Sequence, residues 1–326
     1  MEEMLTVHNL KKVFQAGKRG VFAGKGGEVH ALDGVSFDMH DGEVMVLAGE
    51  SGCGKTTLAL SLMGLEQPTS GSIIFEGKNI THLDSKGVKA LRRRIQMVFQ
   101  DPYESLNPVM RIGEIVAEPL QVHGLAHTPQ EWLPLVVQAL EDAGLKPAEH
   151  FLNRYPHELS GGQRQRVVIA GALVLKPHLL LADEPVSMLD VSIRAEILNL
   201  LLELQREKGV SILLITHDLA TSAYLADRIA IMYLGKIVEL GTTTEVLDAP
   251  LHPYTKALIS VIPVPNPRHR KERMILRGNP PNAMDIPSGC RFHPRCPMAF
   301  KRCLVEEPSL PDAPTRHLAA CWLSEE

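Results

Sequence analysis

Three mostly apolar stretches stand out along the chain: Glu43 to Ala48, His178 to Ala182, and Val210 to Thr216. Each is short and lacks polar alternation, which predicts strands buried on both faces. Leu5 to Phe14 and Val29 to Met39 alternate in part, as edge or hairpin strands do, with a Gly- and Lys-rich loop over Gln15 to Gly27. Ser72 to Phe75 reads as a further strand before a Gly77-Lys78-Asn79 turn, and Ile95 to Phe99 as another. Helical spacing appears at Leu58 to Met63, ended by Gly64, and at Ile112 to Val116, Leu133 to Leu140, Val167 to Leu175 and Val191 to Glu207. Lys86 to Arg94 reads as a basic helix whose Arg92-Arg93-Arg94 run is a solvated face. Strands thus alternate with helices, and the fold class is α/β.

Bulk properties narrow this little. The 326 residues suffice for one large α/β domain plus a smaller one. Hydrophobic content of 44% and charged content of 22% are those of an ordinary globular chain. A net charge of −4 gives no electrostatic reason to expect nucleic acid. The apolar runs are too short to span a bilayer, and Met1-Glu2-Glu3-Met4 opens no signal peptide. A cytosolic location is expected, and any membrane spans must come from other chains.

Chemistry enters right after the first buried strand. Gly49-Glu50-Ser51-Gly52-Cys53-Gly54-Lys55-Thr56-Thr57 fits G-x-x-x-x-G-K-[ST] at every fixed position, between a strand and a helix. Glycines at 49, 52 and 54 let backbone N–H groups turn inward, and the helix adds its positive end. Lys55 can reach β- and γ-phosphates, and the Thr56 hydroxyl can meet Mg²⁺. An aromatic face nearby, Phe14 or Phe22, can serve as a platform for the base, although Phe14 also reads as a core strand residue. Gln100, at a strand end before a proline-containing loop, can carry its amide to metal or water. Ser160-Gly161-Gly162-Gln163, directly before a helix, offers a second anion site, or a simple N-cap. Asp183-Glu184 ends a buried strand. There the first carboxylate suits Mg²⁺, and the second can orient or deprotonate water. His217 ends the next strand, either contacting a γ-phosphate or sitting as a lone polar turn residue.

These segments, together with Ser187 to Asp190, occur in one order up to about Gly241. That set resembles the nucleotide-binding subunit of an ABC transporter. The resemblance implies a P-loop NTPase core, an antiparallel β subdomain from the N-terminal strands and a helical subdomain at about 101–175, all within residues 1–250. It implies a head-to-tail pair of subunits, each ATP lying between Lys55 of one and the serine equivalent to Ser160 of the other. It carries Gly49, Ser51, Gly52, Cys53, Gly54, Lys55, Thr56 and Thr57 onto ATP, and Thr56, Gln100 and Asp183 onto Mg²⁺. Glu184 matches the general base, His217 the switch histidine, and Asp190 the aspartate linking the two sites. Met188 stands where the family more often has alanine.

A narrower resemblance, to the oligopeptide/dipeptide-importer branch, rests on Phe99 to Pro108, Leu251 to Leu258 and Cys290 to Pro297. It implies a C-terminal extension over 251–326, two permease subunits, an extracytoplasmic binding protein, and a place on the cytoplasmic face of the membrane. It also implies a second ATPase, with Asp101 to Pro108 and Asp183 to Ile193 closer to the F-type subunit than to its D-type partner. From Pro250 prolines break regular structure, and Arg268 to Arg273 form a charged link. Cys290, Cys296, Cys303 and Cys321 follow as C-x5-C-x6-C-x17-C, without the C-x2-C pairs common at zinc sites. A metal site is expected over a disulfide pair in a reducing compartment, with zinc and free thiols both open as alternatives. The family resemblance favours a [4Fe–4S] cluster on these four cysteines, as a structural staple. The competing readings are a soluble ABC-type ATPase of DNA repair or translation, and an ATP-dependent Fe–S assembly factor. The first of these usually carries two cassettes or long coiled-coil insertions, whereas this chain has one cassette and no heptad run.

Overall fold

The structure is a computed structural model. It describes residues 3–15, 27–262, 274–276, 278–279, 281–311 and 317–324. Phe22 and the charged link Arg268 to Arg273 lie outside the described residues. The chain divides into two compact units, one of Met1–His40, Met45–His82 and Ile215–Glu326, the other of Asp41–Val44 and Leu83–Leu214.

The first unit holds a four-stranded antiparallel sheet in the order Glu28–His40, Glu3–Gln15, Ser70–Phe75, Lys78–Asn79. Its register joins Leu5 to Met39, Val7 to Phe37 and Leu10 to Val35, and these six side chains are all buried. The partial alternation of the sequence has a cause here. The pairing shifts between Val7 and Leu10, where Asn9 takes φ +45° and donates its N–H to Ser36 Oγ at 2.8 Å. A bulge of this kind resets which side faces the core. In the same unit Met45 to Ala48 of the strand Val44–Ala48, which is buried at all five residues, pair in parallel with Arg228–Tyr233. The latter turns through Leu234 and Gly235, both at positive φ, into antiparallel Lys236–Thr242. Glycine at the second turn position carries that φ without strain. The helix Pro253–Ser260 follows, with Pro253 at its start and the His252 Nδ1 accepting from Tyr254 N–H at 3.0 Å.

The second unit carries the helices expected from spacing. Ile112–Val122, Pro129–Asp142 and Gly161–Leu173 face one another through buried Val116, Leu120, Val136, Leu140, Val167 and Ala170. Ile95–Val98 runs parallel to Leu179–Asp183, pairing Ile95 with Leu179 and Val98 with Ala182. All five residues of Leu179–Asp183 are buried, as are Ser211 to Leu214, the part of the buried strand Ser211–Thr216 in this unit. The basic run lies on the helix Ser85–Arg94, where Arg93 is exposed and Leu91 supplies the buried contact. The antiparallel sheet, the parallel strands and the helical bundle match the expected α/β plan.

Candidate nucleotide-binding site

The glycine loop leaves the buried strand Val44–Ala48 and enters the helix Lys55–Leu62. Gly49 and Gly54 are required by close approach. A Cβ on Gly49 would lie 2.2 Å from Met232 O, and one on Gly54 2.2 Å from Ala31 O, with φ of +109° at Gly54 besides. Gly52 sits at φ +79° in open space. Lys55 is buried, and its Nζ donates to Gly49 O at 2.7 Å and Glu50 O at 3.0 Å. The ammonium is therefore folded back over the mouth of its own loop. Cys53 is buried beside it, with the Sγ 3.7 Å from Nζ, and burial pushes this thiol up despite the neighbouring charge. Ser51 and Thr56 are exposed, and Thr57 is half-buried.

Glu50 is held from two sides within the same unit. Its backbone N–H donates to Tyr254 Oη at 2.9 Å. Its carboxylate accepts from Arg295 Nη1 at 2.8 Å and Nη2 at 3.0 Å. Nothing in the sequence pattern ties positions so far apart, so Glu50, Tyr254 and Arg295 did not emerge from it. Phe14, also in this unit, is half-buried, and the Lys12 ammonium stands 4.7 Å from its ring centroid. His217 is exposed just beyond the strand Ser211–Thr216.

In the second unit the strand Leu179–Asp183 ends with the Asp183 carboxylate buried. Glu184 follows at φ +46°, a left-handed conformation that strains a non-glycine residue. Its Oε2 accepts from Gln100 Nε2 at 3.1 Å, so two of the expected site residues meet directly. Ser160 caps the helix Gly161–Leu173: its Oγ accepts from Gln163 N–H at 3.3 Å, while Gln163 Oε1 accepts from Ser160 N–H at 3.1 Å. The N-cap reading of this segment is thus realised, and the exposed serine also stands where an anion can approach. A Cβ on Gly162 would lie 2.6 Å from Ile193 Cγ2, so that glycine lets two helices come close. Asp190 is exposed at the head of Val191–Lys208. Met188 is 57% exposed, so the larger side chain crowds nothing.

The four tail cysteines are free thiols lining one small cavity of about 10 Å³, together with His252 and His293. Burial, reinforced by the mutual proximity of the thiols, raises Cys290 to about 11, and burial raises Cys296 and Cys321 as well. Among the described residues no group of three or more His, Cys, Asp or Glu is placed to hold a metal ion. The thiols converge, then, without forming a ready metal centre, on a space of about one water.

Residues 32–187 match the family model described as ABC transporter. The oligopeptide transport ATP-binding protein AppF of Bacillus subtilis (strain 168) is 45% identical over 325 residues, covering 99% of this chain and 98% of that protein. The chain belongs to the ABC-transporter ATPases. Residues 238–303 of this ATPase match a second family model, oligopeptide/dipeptide transporter, C-terminal region. Among solved structures, cbiO1 of Clostridium perfringens, part of the ABC transporter complex cbiONQ, has a TM-score of 0.64 at 32% identity. It covers 76% of the ATPase and 92% of its own chain. The ATP-binding cassette MJ0796, in a dimeric post-hydrolysis state bound to ADP and Pi, has a TM-score of 0.64 at 30% identity. The coverage there is 74% of the ATPase and 99% of that chain. No helix among the described residues is long and apolar enough to cross a membrane.

Proposed function

We propose that this ABC ATPase powers import of di- or oligopeptides, as the F-type member of a pair with a D-type ATPase, bound to two permease subunits at the cytoplasmic face of the membrane. The peptide class is supported by AppF, an oligopeptide transport protein by name, and by the match over residues 238–303. An extracytoplasmic binding protein selects the cargo. Residues 1–250 are the cassette, and 251–326 its extension.

Within the cassette, backbone N–H groups of Gly49, Ser51, Gly52, Cys53 and Gly54 cradle the phosphates, with Lys55 swung out from its loop carbonyls onto them. Thr57 donates to the α-phosphate side, and Phe14 stacks on adenine. Thr56, Gln100 and Asp183 would hold Mg²⁺, which would supply neutralisation of phosphate charge. Glu184 orients and deprotonates the attacking water. The observation that carries this role is its strained backbone at the end of a buried strand, with the carboxylate held by Gln100 Nε2 at 3.1 Å. His217 steadies the γ-phosphate. Ser160, Gly161, Gly162 and Gln163 close on the nucleotide of the partner subunit, and Asp190 links the two sites.

The test is Glu184→Gln in the assembled transporter. Amide for carboxylate keeps the shape and removes the base. ATP binding is expected at wild-type affinity, with turnover down at least about 100-fold, within the range of general-base contributions. Hydrolysis within about threefold of wild type would remove Glu184 from the role of base.

A further inference from the structure

We infer that the C-terminal extension is part of the phosphate-binding machinery, with Arg295 acting as a positioning residue that holds and neutralises Glu50 in the glycine loop. The inference rests on the assignment of Gly49 to Thr57 to the phosphates of ATP. Glu50 places a carboxylate in a loop built to attract anions, five residues before Lys55. Left alone, that carboxylate would oppose the triphosphate. Arg295 meets it in a two-pronged contact, 2.8 and 3.0 Å, and its side chain is only 7% exposed. Paired charges in this geometry are strongly directional and poorly screened by salt. The contact therefore fixes the Glu50 side chain as well as cancelling its charge.

The second hold is on the backbone. Tyr254 Oη accepts the Glu50 N–H at 2.9 Å, which leaves that N–H turned away from any phosphate. Tyr254 is fully buried and cannot drift: its ring lies 4.8 Å from that of Tyr233 and 5.4 Å from that of Phe292. Phe292 belongs to the same short segment as Arg295. Arg291, in that segment too, donates to Leu234 O at 2.6 Å, to Glu307 at 2.8 Å and to Asp33. The segment from Cys290 to Cys296 is thus pinned at Arg291, Phe292 and Arg295, and its far end grips the glycine loop. A tail read from sequence as a stapled appendage reaches the start of the phosphate site.

The experiment is a two-residue cycle on the full-length chain. ATP Kd is read with a fluorescent ATP analogue on the purified protein, and KM and kcat on the assembled transporter, with Lys55→Ala as the control for phosphate binding. Arg295→Gln leaves Glu50 charged and loosely held. Kd and KM are expected to rise about tenfold while kcat stays within about twofold. Adding Glu50→Gln removes the repelling charge, and the double variant is expected to recover to within about threefold of wild type. Arg295→Gln binding ATP within twofold of wild type overturns the inference, as does a double variant no better than the single. Wild-type protein that binds no ATP, or Lys55→Ala that binds normally, instead sinks the phosphate-loop assignment itself. Should Arg295→Gln fail to fold, Tyr254→Phe decides, since it keeps the ring and removes only the acceptor for Glu50 N–H. A rise of about threefold or more in Kd supports the anchoring, and an unchanged Kd overturns it.

Discussion

His252 carries a pH dependence that can be worked out from its surroundings. Burial, with a smaller push from the charge of Lys256, lowers this imidazole to about 3. Its Nδ1 accepts from Tyr254 N–H, which requires the neutral ring protonated at Nε2. Its backbone N–H donates to Glu239 Oε2 at 2.9 Å, a fully buried carboxylate whose Oε1 also meets His317 Nε2 at 2.7 Å. In the unfolded chain the same histidine titrates near 6.5. Between those two values the unfolded state binds a proton that the native state refuses. Native stability therefore rises with pH across this window and is lost as pH falls through it, by about 1.4 kcal/mol per pH unit at most. His252→Asn keeps a side-chain acceptor for the helix start and removes the titration. Urea unfolding at several pH values from 4.5 to 7.5 is expected to give a shallower acid loss for the variant than for wild type. Parallel curves would show that His252 takes up its proton without unfolding.

At the scale of elements, the parts that build their own signal were legible in advance. Val44 to Ala48 and Leu179 to Ala182 are strands because five and four consecutive apolar side chains have no polar face to offer. The helix at Gly161 was marked by the Ser160 and Gln163 pair that caps it. Two of the expected catalytic partners, Gln100 and Glu184, meet as ordered strand ends would place them. What could not be read was contact between distant segments. The Arg295–Glu50 pair spans 245 positions, and neither residue is unusual locally. The tail shows the same limit, since its spacing named four cysteines but not how they pack. They line one cavity. The [4Fe–4S] cluster expected on Cys290, Cys296, Cys303 and Cys321 finds no ready centre there, since among the described residues no group of three or more His, Cys, Asp or Glu is placed to hold a metal ion.

At the scale of the molecule, the second unit exposes apolar side chains in two places where a lone chain has no use for them. Phe99, Tyr103 and Val109, exposed by 45%, 56% and 79%, flank the segment after Gln100. Met188 and Val191, exposed by 57% and 80%, flank Asp190. Exposed apolar side chains grouped beside functional residues mark surfaces that other chains cover. If the proposed function holds, the first group is expected to meet the permease subunits and the second the paired ATPase. A single aspartate in each group separates the two. Val109→Asp changes a side chain with little buried contact, so folding is expected to be unaffected, but a tagged chain should no longer co-purify with integral membrane proteins. Val191→Asp adds a carboxylate at the first turn of its helix, where the dipole favours it. It is expected to retain the membrane partners yet lose the ATP-dependent pairing seen by size exclusion in a Glu184→Gln background. A wild-type chain that co-purifies with ribosomes or DNA in place of membrane proteins would overturn transport as the function. Two variants that fail alike in both assays would instead mean that one surface, not two, meets the partners.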